Sequence, residues 1–173
     1  ETVTNDTLDA KTEADTEVVV DGSANVTAAE YSDNPEAGFS GDIGKYIDVH
    51  IDDDTNVTEL EIRLYYTDAE IAGLDESTLK LRWWNGTDWV ACSPDSGVNT
   101  TDIDGYSGYM WARITASSTP SLSDLVGAPF GASGFLPPPL VGGVGGEAYP
   151  VNKSGIMAPW LALFAAITIG AAI

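Results

Sequence analysis

The sequence predicts a mainly β protein: an antiparallel β-sandwich, followed by a Gly/Pro-rich stalk and one C-terminal hydrophobic α-helix. Three observations support this prediction. Several short segments alternate between apolar and polar residues, which is the period-two pattern of strands with one buried face. Turn-forming residues separate these segments, and helical periodicity is almost absent. The last 20 residues, 154–173, contain no charged side chain.

The composition divides the chain into four parts, of which one is long enough to bury a hydrophobic core. Residues 1–15 are polar and acidic with little periodicity, so we expect an extended or loosely held N-terminal arm. Residues 16–124 carry the strand patterns and are predicted to be the glycosylated β-domain. Residues 125–153 are the predicted Gly/Pro-rich linker, and residues 154–173 the predicted hydrophobic helix.

The strand predictions rest on residue type and alternation. Residues 16–20 are rich in β-branched side chains, and residues 25–29 are a weaker candidate. Residues 45–51, 60–67 and 106–115 alternate cleanly. The side chains expected to face inward in these three strands are Ile47, Val49, Ile51, Leu60, Ile62, Leu64, Tyr66, Met110, Ala112 and Ile114.

A hairpin is predicted at Asn85-Gly86, which separates the alternating segments 79–84 and 87–92. Both turn residues tolerate the positive φ of a type I′ turn. Residues 67–77 break the alternation with acids and a glycine, and we expect a single helical turn followed by a loop. Short antiparallel strands separated by turns favour an Ig-like β-sandwich.

The linker is expected to contain no central strand. Residues 127–146 include Pro129 and the run Pro137 to Pro139, together with repeated glycines. Proline cannot donate to a strand ladder and glycine weakens a strand, so this segment is predicted to be a semi-extended stalk. The three consecutive prolines favour a stiff polyproline stretch.

The C-terminal segment 154–173 has the length and polarity of a transmembrane helix. Pro159 and the lack of Lys or Arg after Ile173 indicate a second alternative, burial among other proteins. Small residues spaced four apart form a ridge along which helices can pack closely. The alternative is that small residues are simply abundant in apolar segments. The predicted helix-packing residues are Ala162, Ala166 and Gly170.

The net charge of −20 comes from 27 acidic and seven basic residues. This charge opposes binding to nucleic acid and to anionic lipid head groups, because both require neutralisation by Lys or Arg. It suits a solvated exterior. Of the charged residues, only Glu147 and Lys153 lie after position 124, so the acidic front and the nearly uncharged back are separate parts.

Six of the seven asparagines lie in N-x-S/T sequons: Asn5, Asn25, Asn56, Asn85, Asn99 and Asn152. The seventh, Asn34, is followed by proline. This proportion predicts an exported, extracellular chain with N-linked glycans. Apart from these glycans no cofactor is assigned, and Ca²⁺ stays as a weakly supported alternative. The alternative is that Thr-rich turns follow these asparagines by chance. Since the chain opens at Glu1 without Met, we expect that a leader was removed or that a longer precursor was cut.

Candidate catalytic and metal-binding residues are few. His50 is the only histidine and is expected at a solvated strand position. Cys92 is the only cysteine, which excludes an intrachain disulfide; we expect a buried thiol, with a reactive thiol or an intermolecular bridge as the alternative. The acidic run 52–54, with Asn56 and Glu59 nearby, offers oxygen ligands to Ca²⁺ but lacks EF-hand spacing, so no metal site is assigned. The chain is predicted not to be an enzyme.

Four of the five tryptophans fall in the C-terminal strands: Trp83, Trp84, Trp89 and Trp111. Trp83 and Trp84 are neighbours in one strand and must point to opposite faces, so at most one belongs to the core. Cross-strand packing is expected for most of these rings. The alternative function is a carbohydrate-binding or adhesion module that uses exposed tryptophans such as Trp84 and Trp111.

Two segments resemble known surface proteins. Residues 66–90 (YTDAEIAGLDESTLKLRWWNGTDWV) resemble a β-domain near the C-termini of many surface proteins of methanogenic and related archaea. Residues 143–160 (GVGGEAYPVNKSGIMAPW) resemble a tail segment of anchored surface proteins in archaea and some bacteria. The resemblance implies a structural or anchoring role. The sequence thus predicts a cell-surface protein that self-assembles into a filament, sheath or layer, or is held in membrane lipid, through its C-terminal helix.

Overall fold

The computed structural model describes residues 1–138 of the chain. The predicted helix over residues 154–173, the sequon at Asn152 and the linker beyond residue 138 lie outside the described residues. The described part forms one compact unit, Glu1–Pro138.

Residues 1–138 are built almost entirely from strands. Besides a four-residue helix α1 (Lys11–Ala14) and a 3-10 turn (Leu122–Asp124), the structure contains these strands: β1 Thr2–Thr4, β2 Thr7–Ala10, β3 Thr16–Tyr31, β4 Asp42–Ile51, β5 Val57–Tyr66, β6 Asp75–Trp84, β7 Trp89–Ala91, β8 Ser96–Asn99, β9 Gly108–Ile114 and β10 Pro129–Phe135. The prediction of a mainly antiparallel β protein is confirmed.

The strands form one curled antiparallel sheet in the order β7-β6-β10-β4-β3-β5-β9-β8, with β1 and β2 also paired to β3. The long strand β3 joins the two halves, because residues 16–22 pair with β5 and residues 26–31 pair with β4. The register shifts at Gly22, whose φ is +118°. Such a φ favours glycine and lets β3 change partners at this bulge.

One hydrophobic core is shared by both halves of the sheet. The side chains predicted to face inward in β4, β5 and β9 are all at most 2% exposed. Phe130 and Leu81 from one half join Leu64 and Met110 from the other in the same cluster. Because burial of a large apolar side chain stabilises the fold by about 1.5–3 kcal/mol, this shared core holds the curled sheet together.

Of the two alternatives predicted for residues 1–15, an extended or a loosely held arm, the second is wrong: the segment contains extended strands, and they are held in the sheet. β1 and β2 both pair with β3, and Val3 and Ala14 are buried at 4% and 1% exposure. Asp15 makes a further connection, since its Oδ2 lies 2.6 Å from the Nζ of the buried Lys45. The pairing partner of these short polar strands lies further along the chain, so local periodicity does not reveal it.

The prediction that no central strand follows residue 125 is also wrong. β10 lies between β4 and β6, and Phe130 is fully buried in the core. On the opposite face the backbone at Gly131 is covered by aromatic rings, and a Cβ there would lie only 3.1 Å from the Trp89 ring. Glycine therefore serves close packing here, while Pro129 occupies the first strand position, where proline is tolerated.

The β6–β7 hairpin is confirmed, but its turn differs from the prediction. Trp84 pairs with Trp89, so residues 85–88 form a four-residue loop instead of a two-residue type I′ turn. The Asn85 Oδ1 accepts the N–H groups of the second and third residues after it, at 2.9 and 2.8 Å. Upstream, residues 67–74 form turns, and β6 begins at Asp75, within the segment expected to be a loop.

Candidate functional site

The predicted glycosylation sites in the described part lie at the surface. Asn5, Asn25, Asn56 and Asn85 are exposed, and Asn99 is half-buried. They occupy the β1–β2 turn, the middle of β3, the residue before β5, the β6–β7 loop and the end of β8. The exposed sites leave room for an attached glycan, which is bulky and needs solvent.

The side-chain nitrogens of these asparagines differ in their hydrogen bonds. A glycan is attached through Nδ2. Asn25 Nδ2 donates to Asp52 Oδ2 at 3.3 Å, and Asn99 Nδ2 donates to the Tyr109 hydroxyl at 3.0 Å. Within residues 1–138, Nδ2 of the other three sequon asparagines donates no hydrogen bond. Those three nitrogens are therefore the most accessible to modification.

Three sequons meet at the β3 bulge. The Gly22 N–H donates to Asn5 Oδ1 at 2.8 Å, and the N–H of the next residue, Ser23, donates to the Asn56 carbonyl oxygen at 2.9 Å. Asn25 follows two residues later on β3. Three potential glycan sites thus lie at or near the β3 bulge.

The outer face of β5 and β9 is covered by packed tyrosine rings and hydrogen-bonded charged side chains. The alternation over residues 60–67 places Tyr65 on the face opposite Leu64 and Tyr66. It is nevertheless only 1% exposed, because the rings of Tyr106 and Tyr109 lie 5.1 Å from it. Its hydroxyl donates to Glu17 Oε2 at 2.5 Å. Burial acts to raise the pKa of Glu17. Hydrogen bonds that its carboxylate accepts from Lys11, Tyr65 and Arg63 outweigh this effect, so the pKa lies below its ordinary value.

The tryptophans divide between core and surface as the alternation predicts. Trp83 packs against the hydrophobic core, whereas Trp84 lies on the outer face with its ring 5.7 Å from that of Trp89. Trp111 is half-buried above Gly97, and the Arg113 guanidinium lies 5.3 Å from its ring centre. Both rings are half-buried, and Trp84 borders open space beside the β6–β7 hairpin.

A cleft is formed between the loop of residues 36–40 and the β6–β7 hairpin, with a volume of about 310 Å³. Its walls include Phe39, Arg82, Trp84, Asp88 and Trp89. The sequence patterns single out only the tryptophans among these residues. The sequence could have singled out Arg82 as a candidate binding residue, since it is one of only seven basic residues in an acidic chain.

The remaining candidates show no catalytic arrangement. Cys92 is buried, as expected, and burial raises the pKa of its thiol to about 12. His50 Nε2 lies 3.2 Å from Asp52 Oδ1 at the surface. Asp53 Oδ1 accepts both the N–H and the hydroxyl of Thr55, which makes the acidic run a local turn. Over residues 1–138, no group of three or more His, Cys, Asp or Glu side chains is placed to hold a metal ion.

The helix-packing residues Ala162, Ala166 and Gly170 lie outside the described residues. Within the described part, no helix has the length and apolarity needed to cross a membrane. No protein-family model, no curated protein and no solved structure matches the chain.

Proposed function

We propose that this protein is a non-catalytic structural component of the cell surface, exported and N-glycosylated. The observation that carries this proposal is the placement of the sequons. Six of seven asparagines lie in sequons, and four of the five in the described part are exposed. The strongly acidic composition supports the same environment, because a highly charged surface stays solvated outside the cell.

The β-domain is proposed to be an Ig-like β-sandwich that faces outward. Its two layers would be the sheet halves that meet along β3, and the shared core cluster supports this arrangement. Glycans on the three sequons at the β3 bulge would then shield the surface around it. This surface would be kept free of protein contacts, which leaves the other surfaces for neighbouring subunits.

The C-terminal segment 154–173 is proposed to hold the protein in place, either by packing with the same segment of other copies or by inserting in lipid. The uncharged composition of this segment supports both forms. Negative-stain imaging of native surface material after detergent extraction separates them. Filaments, tubes or sheets that survive detergent indicate packing between proteins. Dispersed particles in micelles indicate lipid anchoring, and a monomer that needs no detergent would contradict both.

Glycopeptide mapping of the native protein by mass spectrometry tests export and glycosylation. We expect glycans at Asn5, Asn56 and Asn85, whose Nδ2 atoms are unengaged within the described part, and lower occupancy at Asn99. The peptide containing Asn34 provides the internal control, because proline follows this asparagine. A native protein without any glycan would overturn the proposal, and modification at Asn99 alone would contradict the ranking of the sites.

A further inference from the structure

The cleft between the loop of residues 36–40 and the β6–β7 hairpin is preformed. Trp89 anchors the loop, because its Nε1 donates to the Ala37 carbonyl oxygen at 2.6 Å and its ring lies 4.9 Å from that of Phe39. Trp89 itself is 7% exposed. The wall of the cleft therefore consists of rings fixed by packing, and a ligand would find it already in place.

Trp84 gives the cleft an accessible aromatic surface. It is half-buried at the end of β6, and its ring is inclined by 55° to that of Trp89. The volume of about 310 Å³ lies at the lower end of the range for small-molecule sites. This size suits a single ring better than a polypeptide segment.

Arg82 supplies hydrogen-bond donors at the cleft. Its Nε donates to Ser133 Oγ at 3.0 Å and its Nη1 to the Trp89 carbonyl oxygen at 3.2 Å, which leaves Nη2 available. Arg63 and Arg113 both form ion pairs with carboxylates. Among the arginines of residues 1–138, Arg82 alone has no acidic partner, although the chain carries a net charge of −20.

Asp88 supplies an acceptor at the same cleft. Its backbone closes the hairpin loop through the Asn85 N–H, at 3.1 Å. Its carboxylate is exposed and takes part in no hydrogen bond or ion pair with residues 1–138. The cleft therefore combines an aromatic face with one unengaged donor group and one unengaged acceptor group.

We propose that this cleft binds a single hexose ring of a glycan. The apolar C–H face of a pyranose stacks on an indole ring, while the hydroxyls at its edge both donate and accept hydrogen bonds. In the complex, Trp84 stacks on the sugar, Arg82 Nη2 donates to a ring hydroxyl, and the Asp88 carboxylate accepts from another. This function is separate from the proposed structural role and from the glycosylation of the protein itself.

Saturation-transfer NMR on the full-length protein in detergent tests the proposal. The probes are the methyl pyranosides of glucose, galactose and mannose, and N-acetylglucosamine. We expect at least one of them to bind with a Kd near 1 mM, corresponding to about −4 kcal/mol. Trp84→Ala should weaken that binding about tenfold. The matched control Trp111→Ala should bind as the wild type does, because Trp111 lies on β9 and does not line the cleft.

A second variant, Asp88→Ala, keeps the test valid if loss of the Trp84 ring disturbs the hairpin. Asp88 is exposed and its loop contacts are made by the backbone, so the variant should fold normally and bind about threefold more weakly. Absence of binding by all four sugars overturns the proposal. Equal losses for Trp84→Ala and Trp111→Ala, or unchanged binding by Asp88→Ala, also overturn it. The protein for this test is produced without glycans, since a glycan on Asn85 would sit beside Trp84 at the cleft. The two proposals then fail independently.

Discussion

Replacement of Lys45 by methionine is predicted to destabilise the β-domain. Lys45 is 5% exposed, and its Nζ lies 2.6 Å from both Asp15 Oδ2 and Glu70 Oε1. The Tyr106 hydroxyl also donates to Asp15, at 2.6 Å. This buried lysine thus connects the N-terminal segment to the start of β4 and to the turn after β5.

The size of the loss follows from the burial of the three groups. Removal of one partner from a buried ion pair costs about 3–5 kcal/mol, because a charge remains without compensation. The side chains of Asp15 and Glu70 are still 30% and 38% exposed, so solvent screens part of their repulsion. We therefore expect Lys45→Met to lower the free energy of unfolding by about 2–3 kcal/mol near pH 7.

The loss should depend on pH. Burial acts to raise the pKa of Asp15 and Glu70. The hydrogen bond and charge of Lys45 oppose this effect, together with hydrogen bonds from Tyr106 to Asp15 and from Thr67 to Glu70, so both pKa values lie below their ordinary values of 3.8 and 4.5. A carboxyl with a lowered folded-state pKa stabilises the fold above its ordinary pKa, and this contribution disappears as pH falls through the folded-state value. The difference between wild type and Lys45→Met should therefore shrink below about pH 4.

Urea denaturation followed by tryptophan fluorescence measures both effects. The control is Lys80→Met, since Lys80 is exposed on β6 and forms no ion pair with residues 1–138. A change below about 0.5 kcal/mol for Lys45→Met near pH 7, the level typical of surface substitutions, would refute the reasoning. An equal loss for the control variant, or a loss that stays constant as the pH is lowered to about 3, would refute it as well.

Three further predictions concern β10, the thiol and the β3 bulge. Phe130→Ala should lower the free energy of unfolding by about 3–5 kcal/mol in the same urea titration. Phe135→Ala, at a residue that is 42% exposed, should lower it by less than about 1 kcal/mol. Equal losses would contradict the buried position of Phe130. Because the pKa of the Cys92 thiol is raised to about 12, iodoacetamide near pH 8 should alkylate the protein in urea but leave the native protein unmodified, as measured by mass spectrometry. Rapid labelling of the native protein would contradict the burial of Cys92. Gly22→Ala should lower the free energy of unfolding by at least about 2 kcal/mol, since φ is +118° and the new Cβ would lie 2.0 Å from a backbone oxygen. The control Gly44→Ala, at φ +77° with open space around it, should lower it by less.

Strands with one buried face were predictable from the sequence, because alternation is a local pattern that burial imposes on consecutive residues. The inward side chains of β4, β5 and β9 are buried as expected. The opposite face was less predictable. Tyr65 alternates as an outward residue, yet the rings of Tyr106 and Tyr109 cover it. Local periodicity separates the two faces of a strand but does not show what covers the outer one.

The cleft could be predicted only in part. Exposed tryptophans were candidates from composition alone, and Trp84 is the one that borders open space. Phe39, Arg82 and Asp88 were not connected to it, because they come from the loop before β4, the interior of β6 and the hairpin loop. Their proximity depends on the register of β6 with β7 and on the hydrogen bond between Trp89 and Ala37.

The sequence by itself determined the mainly β class, the main alternating strands and the positions of the sequons, since each of these is written in neighbouring residues. Only the tertiary structure decided that residues 1–15 belong to the sheet and that a Gly/Pro-rich segment supplies its central strand β10. The physical reason is that both depend on distant partners. Lys45 meets Asp15 and Glu70 across 30 and 25 positions of the chain, and Gly131 is required only because aromatic rings pack on its backbone.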